Sequence, residues 1–235
     1  MAWEKMLAEL ETSRQNMDQQ LVTICTIDSR TTIYCAKGCS NCCSLSVNCS
    51  FPEAAAIAQS LTSEQRQYLA DKLPTLHQIC RQAENLKLFL RLFRNRLGGC
   101  SFLDKEGRCS IYPQRPFSCR SLLSTRNSNW CAVDFAELHP QEKEAFLSSL
   151  DRQIVAFPTH YLAASQELGL EYESLSLSRM RDSYGFSISG NLLYQVWLET
   201  EHRLSEVIKG GYGQTRRFLK EQGLDLPFLL QLRES

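Results

Sequence analysis

Four cysteines fall within nine residues, Cys35-Ala-Lys-Gly-Cys39-Ser-Asn-Cys42-Cys43. Cys39-x-x-Cys42 is the spacing at which two thiolates reach one metal around a tight turn. Gly38, Ser40 and Asn41 are the turn formers such a loop needs. Cys42 and Cys43, read as extended backbone, point to opposite sides and would serve different metals or different corners of one cluster. Eleven cysteines in 235 residues is an odd count, which argues against a fully paired disulfide framework.

A second block runs Gly99-Cys100-Ser-Phe-Leu-Asp-Lys-Glu-Gly-Arg-Cys109-Ser-Ile-Tyr-Pro-Gln-Arg-Pro-Phe-Ser-Cys119-Arg120, and Cys131 follows Trp130. Asp104 to Gly107 is a turn signal between short apolar stretches, so Cys100 and Cys109 should flank a hairpin. Pro113 and Pro116 keep that hairpin short. These cysteines come singly and read as late ligands folded onto the first block.

Charge is balanced overall, 26 basic against 26 acidic, but not locally. Residues 81–130 carry a net +7, against −2 before and −5 after. Four thiolates around Zn²⁺ or a [4Fe–4S]²⁺ core leave a formal charge of about −2. Arg108, Arg115 and Arg120, which alternate with the cysteines, are placed to offset it. Arg91, Arg94 and Arg96 read equally well as a solvated helix face. Few aromatics interleave with this basic stretch, so nucleic-acid binding is disfavoured. No basic-then-apolar leader and no apolar run of about 20 residues is present, so a cytoplasmic protein with no membrane span is expected.

The rest reads as helix: a mainly α single domain over 1–235, with its cysteine core at about 35–131 and a helical C-terminal part at about 138–232. Met6, Leu7, Leu10, Met17 and Leu21 recur at helical period. Pro52 suits a helix start, and Thr62…Gln65 a capping box. Pro74 should interrupt, with Thr75…Gln78 capping anew. Leu76, Ile79, Ala83, Leu86, Leu90, Phe93 and Leu97 then form a heptad seam ended by Gly98-Gly99. Later helices are expected from Pro140 to Phe157, from Thr159 to Leu168 with Gly169 ending it, and from a Ser189 cap to Gly210-Gly211. No stretch alternates long enough for a substantial sheet. His77, His139, His160 and His202 stand at no ligand spacing and read as packing residues. Tyr112 and Phe117 should wall the cysteines from water, and Cys25, Cys49 and Cys80 should lie outside the metal set.

The order Cys-x-x-Cys-Cys, then Cys-x-Phe-Leu-Asp, Gly-x-Cys-x-Ile-Tyr, Arg-Pro and Cys-Arg, resembles the YkgJ-type cysteine-cluster family, a zinc- or iron-chelating domain. The resemblance covers roughly residues 35–131, and 107–120 is its most specific part. It departs from the family by three residues between Cys35 and Cys39, where two are usual, and by Ser101 after Cys100. It implies metal ligation by Cys35, Cys39, Cys42, Cys43, Cys100, Cys109, Cys119 and Cys131. Only one CxxC pair is present, which tilts the expected cofactor toward an iron–sulfur cluster over zinc. The family is similar over this domain to a flagellin lysine N-methylase, so a metal-dependent group-transfer enzyme is one alternative. A structural zinc module presenting helices to a protein partner is another. No strand-then-glycine-rich loop marks a methyl-donor site; Lys209-Gly-Gly-Tyr-Gly213 follows a helix. No general base or nucleophile beyond cysteine is apparent.

Overall fold

A computed structural model describes residues 2–27 and 31–234. The chain is mainly helical, with one small antiparallel sheet. The first helix, α1 (Ala2–Ile27), buries Met6, Leu10, Met17 and Leu21, the expected apolar stripe. Strand β1 (Asn48–Ser50) runs directly into α2 (Phe51–Ser60). Ser50 caps α2 in a capping box with Glu53, and Pro52 sits in the first turn, where its missing N–H costs no bond.

Helix α3 (Ser63–Gln82) opens on the Thr62–Gln65 capping box and continues through Pro74. Proline costs about 3 kcal/mol inside a helix. Leu69, Leu73, Leu76 and Ile79, buried on both sides of it, outweigh that cost. The break falls later, at residues 83–85, where Asn85 caps α4 (Leu86–Arg96) by accepting from the Leu88 amide at 2.9 Å. The continuous heptad seam is therefore not formed. Leu86 and Leu90 are 57% and 43% exposed, Phe89 is buried in their place, and Phe93 and Leu97 are buried as the seam expected. The new cap rotates α4 onto its aromatic face, with Phe89 stacked on Phe228 at 5.2 Å.

Next come α5 (Phe117–Ser121) and α6 (Pro140–Ser148). Helix α6 stops well before Ile154 and Phe157, which lie in a turn-rich segment closed by a Val155–Leu162 bridge. Helix α7 (Ala163–Tyr184) runs through Gly169, the expected stop. That glycine serves close packing: a Cβ there would lie 2.6 Å from the Ser121 Cβ on α5. The true end is Gly185, at φ +78°. Strand β2 (Phe186–Asn191) follows, and Asn191, not Ser189, caps α8 (Leu192–His202). Arg203 at φ 49° then separates α8 from the one-turn α9 (Leu204–Val207). Helix α10 (Gly211–Glu221) and β3 (Leu230–Glu234) follow.

The sheet has the order β1-β2-β3, with Cys49 opposite Gly190 and Ser189 opposite Gln231. Its central strand, Phe-Ser-Ile-Ser-Gly-Asn, closes the sheet between segments far apart in sequence. At Gly190 a Cβ would lie 2.1 Å from the Leu229 carbonyl oxygen, so the β3 side can approach only a glycine there. The largest core runs from Met6 to Leu230 and joins α2, α3, α4, α8 and the sheet. A second core packs Phe117 and Tyr172 between α1, α5 and α7. No described helix is long and apolar enough to cross a membrane.

Candidate metal centre

The cysteine segments gather at one end of this scaffold. Residues Asn41–Ser44 form a 3-10 turn, so Cys42 and Cys43 are not in extended backbone, and their thiols hydrogen-bond each other. That turn packs on a second one, Ser128–Ala132, which carries Cys131. Asn41 Nδ2 donates to Ser128 Oγ at 3.1 Å across the pair. Cys35 is pinned beside them: its Sγ accepts from the Ser124 amide at 3.2 Å.

The hairpin from Cys100 to Cys109 forms as its turn signal predicts. Leu103 bridges Cys109, Ser110 N donates to the Phe102 carbonyl at 2.8 Å, and Gly107 takes φ +75°. Asp104 accepts from the Arg108 amide and guanidinium at 2.7 and 2.9 Å. Cys119 rides on α5, whose first amide, Phe117 N, donates to the fully buried Glu53 carboxylate at 2.8 Å. Glu53 also accepts from Ser50 N and Ser50 Oγ, so one carboxylate ties the start of α2 to the start of α5.

All eleven cysteines are free thiols. Their ionisation shows which ones face each other. Burial pushes the Cys119 thiol well up, and Cys100, Cys42 and Cys109 push it further. Burial raises Cys100 to about 12, with Cys109 and Cys42 adding to it. Cys109 is raised by burial and by Cys42. On the other side, burial raises Cys35, and Cys131, Cys42 and Cys39 reinforce it. Cys131 is likewise raised by burial, Cys42 and Cys39. Cys42 thus stands between two thiol groups, Cys100–Cys109–Cys119 and Cys35–Cys39–Cys131, with Cys43 attached through its own bond to Cys42. Among the described residues no three Cys, His, Asp or Glu side chains stand close enough to share a single ion.

Of the other cysteines, Cys25 and Cys80 are affected by no other thiol. Cys49 is fully buried beneath the centre, near Cys119, and Gln195 Nε2 donates to its sulfur at 3.4 Å.

Among the arginines, Arg115 is the one turned toward the thiols: its charge favours the thiolates of Cys42, Cys109 and Cys119. Its guanidinium lies over the Tyr112 ring at 4.0 Å, and its buried Nε has no hydrogen-bond partner. Arg120 instead turns inward, paired with Asp18 at 2.5 Å and capping the Arg115 and Pro113 carbonyls. Arg108 is held by Asp104 and Glu106, and Arg94 grips the Cys131 and Val133 carbonyls. Phe117 does not wall the thiols; its ring stacks on Tyr172 in the second core. A residue the spacing did not single out is His160, whose Nε2 lies 3.3 Å from Cys131 Sγ. No sequence signal near it, beyond the neighbouring Tyr161, points to this contact.

The residues fit a bound metal. Thiols that oppose one another's ionisation, two of them exposed, five half-buried and Cys131 buried, beside an arginine with an unused buried donor, exchange protons for a cation with electrostatic relief. Lys209 and Gly210 lie in a 3-10 turn after α9, Gly211 to Gly213 open α10, and the stretch carries no such features.

Neither a curated protein nor a solved structure matches the chain. A family model does, over residues 34–136, and its description reads "CxxCxxCC: Putative zinc- or iron-chelating domain". The matched span holds the eight clustered cysteines and the two turns, hairpin and short helix that carry them, while α1 and α6 to β3 lie outside it. Over residues 34–136, a little under half of its length, the chain is therefore similar to this cysteine-cluster family.

Proposed function

We propose that the chain is a metal-binding protein whose centre is held by Cys35, Cys39, Cys42, Cys43, Cys100, Cys109, Cys119 and Cys131, in a reducing compartment such as the cytoplasm. The observation that carries this reading is the packing of the Asn41–Ser44 turn, with Cys42 and Cys43, on the Ser128–Ala132 turn, with Cys131, while Cys35 Sγ is held by the Ser124 amide beside them. Loops this rich in thiols converge where little else could pack.

Iron–sulfur is the preferred occupant. Tetrahedral zinc holds its ligand sulfurs about 3.8 Å apart, whereas each thiolate of a cluster binds a separate iron and the sulfurs stand wider. The chain has one CxxC pair, Cys39-x-x-Cys42, and otherwise isolated cysteines, which favours the wider body over a zinc ribbon. Such a group would supply electron transfer or Lewis acidity. The chain's own residues would anchor it, offset its charge through Arg115, and exclude water through the hairpin and the Ser128–Ala132 turn.

A group-transfer enzyme is the second reading, favoured by an open polar groove beside Cys43 lined by Ser40, Asn41, Ser44, Arg94 and Asp134. Oxygen-free purification with metal analysis and a visible spectrum tests the first. Stoichiometric iron with a broad thiolate-to-iron band supports it. A colourless protein with stoichiometric zinc would replace the cluster by zinc, and absence of both metals would end the chelation reading.

A further inference from the structure

We propose that His160, which lies outside the family domain, donates its Nε2–H to the thiolate of Cys131 and so positions and tunes one ligand of the centre. The inference rests on the metal-binding reading above.

Four observations carry it. The Nε2 to Sγ distance of 3.3 Å is hydrogen-bonding range for a sulfur acceptor. Both residues are 5% exposed, so no water competes for the contact. The imidazole is held from several sides: its ring packs edge-on against Phe146 at 5.8 Å and tilted on Tyr161 at 4.5 Å. Its own carbonyl accepts from Thr125 N at 3.0 Å and Thr125 Oγ1 at 2.9 Å, fixing the backbone. The Tyr161 hydroxyl also hydrogen-bonds Cys131, so the same two-residue step presents two polar groups to one sulfur.

The Ser124–Thr125 segment joins the two ligand cysteines. Ser124 N donates to Cys35 Sγ, Thr125 holds His160, and Ser124 bridges Tyr161. One extended segment therefore orders Cys35 directly and Cys131 through the imidazole. Arg94 holds the Cys131 carbonyl, and the sulfur is met by His160, Tyr161 and the Ser124 side chain.

A donor to a ligating thiolate lowers the charge density on sulfur. It would stabilise the ionised form of the sulfur and fix the rotamer of the ligand. Losing such a partner typically costs 10–100-fold in metal affinity. Direct ligation by His160 is the competing chemistry, and it requires a nitrogen at about 2.0–2.1 Å from the metal.

The test uses the full chain with the metal it carries on oxygen-free purification. Wild type, His160→Leu and His160→Gln are compared by chelator competition and by the energy of the thiolate-to-metal absorption band. X-ray absorption of the wild type reports the first coordination sphere. The expected result has three parts. The leucine variant loses 10–100-fold in affinity and shifts the band. The glutamine variant, which keeps an N–H donor, recovers most of both. The wild-type metal shows sulfur neighbours without a histidine nitrogen. Equal behaviour of leucine variant and wild type would overturn the proposal. So would a glutamine variant no better than leucine, or a nitrogen in the wild-type coordination sphere. The absorption measurement needs no variant, so a poorly folding leucine protein does not protect the idea. A wild type without metal would overturn the parent reading and this one together; a loaded wild type with an indifferent His160 overturns this one alone.

Discussion

Glu53 and Glu173 lie beneath the cysteine centre, and burial raises both carboxyls above the usual range, Glu173 to about 7. Glu53 is compensated by three hydrogen bonds, but Glu173 gains only the adverse charge of Glu53. Below pH 4.5 Glu173 is protonated in folded and unfolded chains alike and costs nothing. Between pH 4.5 and about 7 the unfolded chain ionises it while the fold keeps the proton, so stability falls as pH rises, then levels off. Replacement Glu173→Gln should therefore raise stability at pH 8 by about 1–3 kcal/mol and flatten the fall between pH 4.5 and 7, read by urea titrations at several pH values. No gain at pH 8 would mean the carboxyl is solvated. Glu53→Ala should behave oppositely, costing about 3 kcal/mol or more, because it strips a cap and two backbone donors at once. Single replacements of Cys25, Cys49 and Cys80 by serine should leave bound metal per chain unchanged; a fall with Cys49→Ser would extend the ligand set downward.

At the level of elements, the contact of α5 with α7 deserves a direct probe, because α5 carries Cys119. Gly169→Ala places a methyl 2.6 Å from the Ser121 Cβ and should cost about 1–3 kcal/mol while weakening metal retention. Ser121→Gly in the same chain should recover part of both losses; an unchanged melting temperature in the single variant would show that α5 yields. Gly185 is a different case: nothing lies within 4 Å of its would-be Cβ, and the strain comes from φ +78° alone. This pair also shows what can be read in a sequence. Helix ends written in local chemistry, such as Thr62…Gln65, Pro52 and Asp104…Gly107, are legible because the partners are a few residues apart. Gly169 looks like a stop and acts as a gap for another helix. Pro74 looks like a break and is overridden by the core. Phe89 replaced Leu86 and Leu90 in the expected seam only because Asn85 restarts the helix. The cysteine spacing pointed to metal; His160 did not, since its meaning depends on a strand 35 residues upstream.

For the whole molecule, the arrangement separates what the metal would hold from what the apolar cores hold. The main core draws on α2, α3, α4, α8, the sheet and the C-terminal helices, with Cys100 and Cys109 only at its margin. Metal removal should thus leave most helical circular dichroism in place. Hydrogen exchange should accelerate chiefly in residues 35–49 and 100–131. Complete loss of the helical signal on chelation would show instead that the centre nucleates the fold.

The β1–β2 pairing sets an order in time. The partner of Asn48 is Asn191, 60 residues after Cys131. During synthesis at about 5–20 residues per second, every thiol of the centre is made about 3–12 s before β2 exists to seal the base beneath it. His160, Gly169 and β2 all arrive inside that interval, and β3 follows about 40 residues later. A nascent chain therefore completes its thiols before the strand that builds the sheet below them is made, and on the finished fold Cys35 and Cys39 still face solvent.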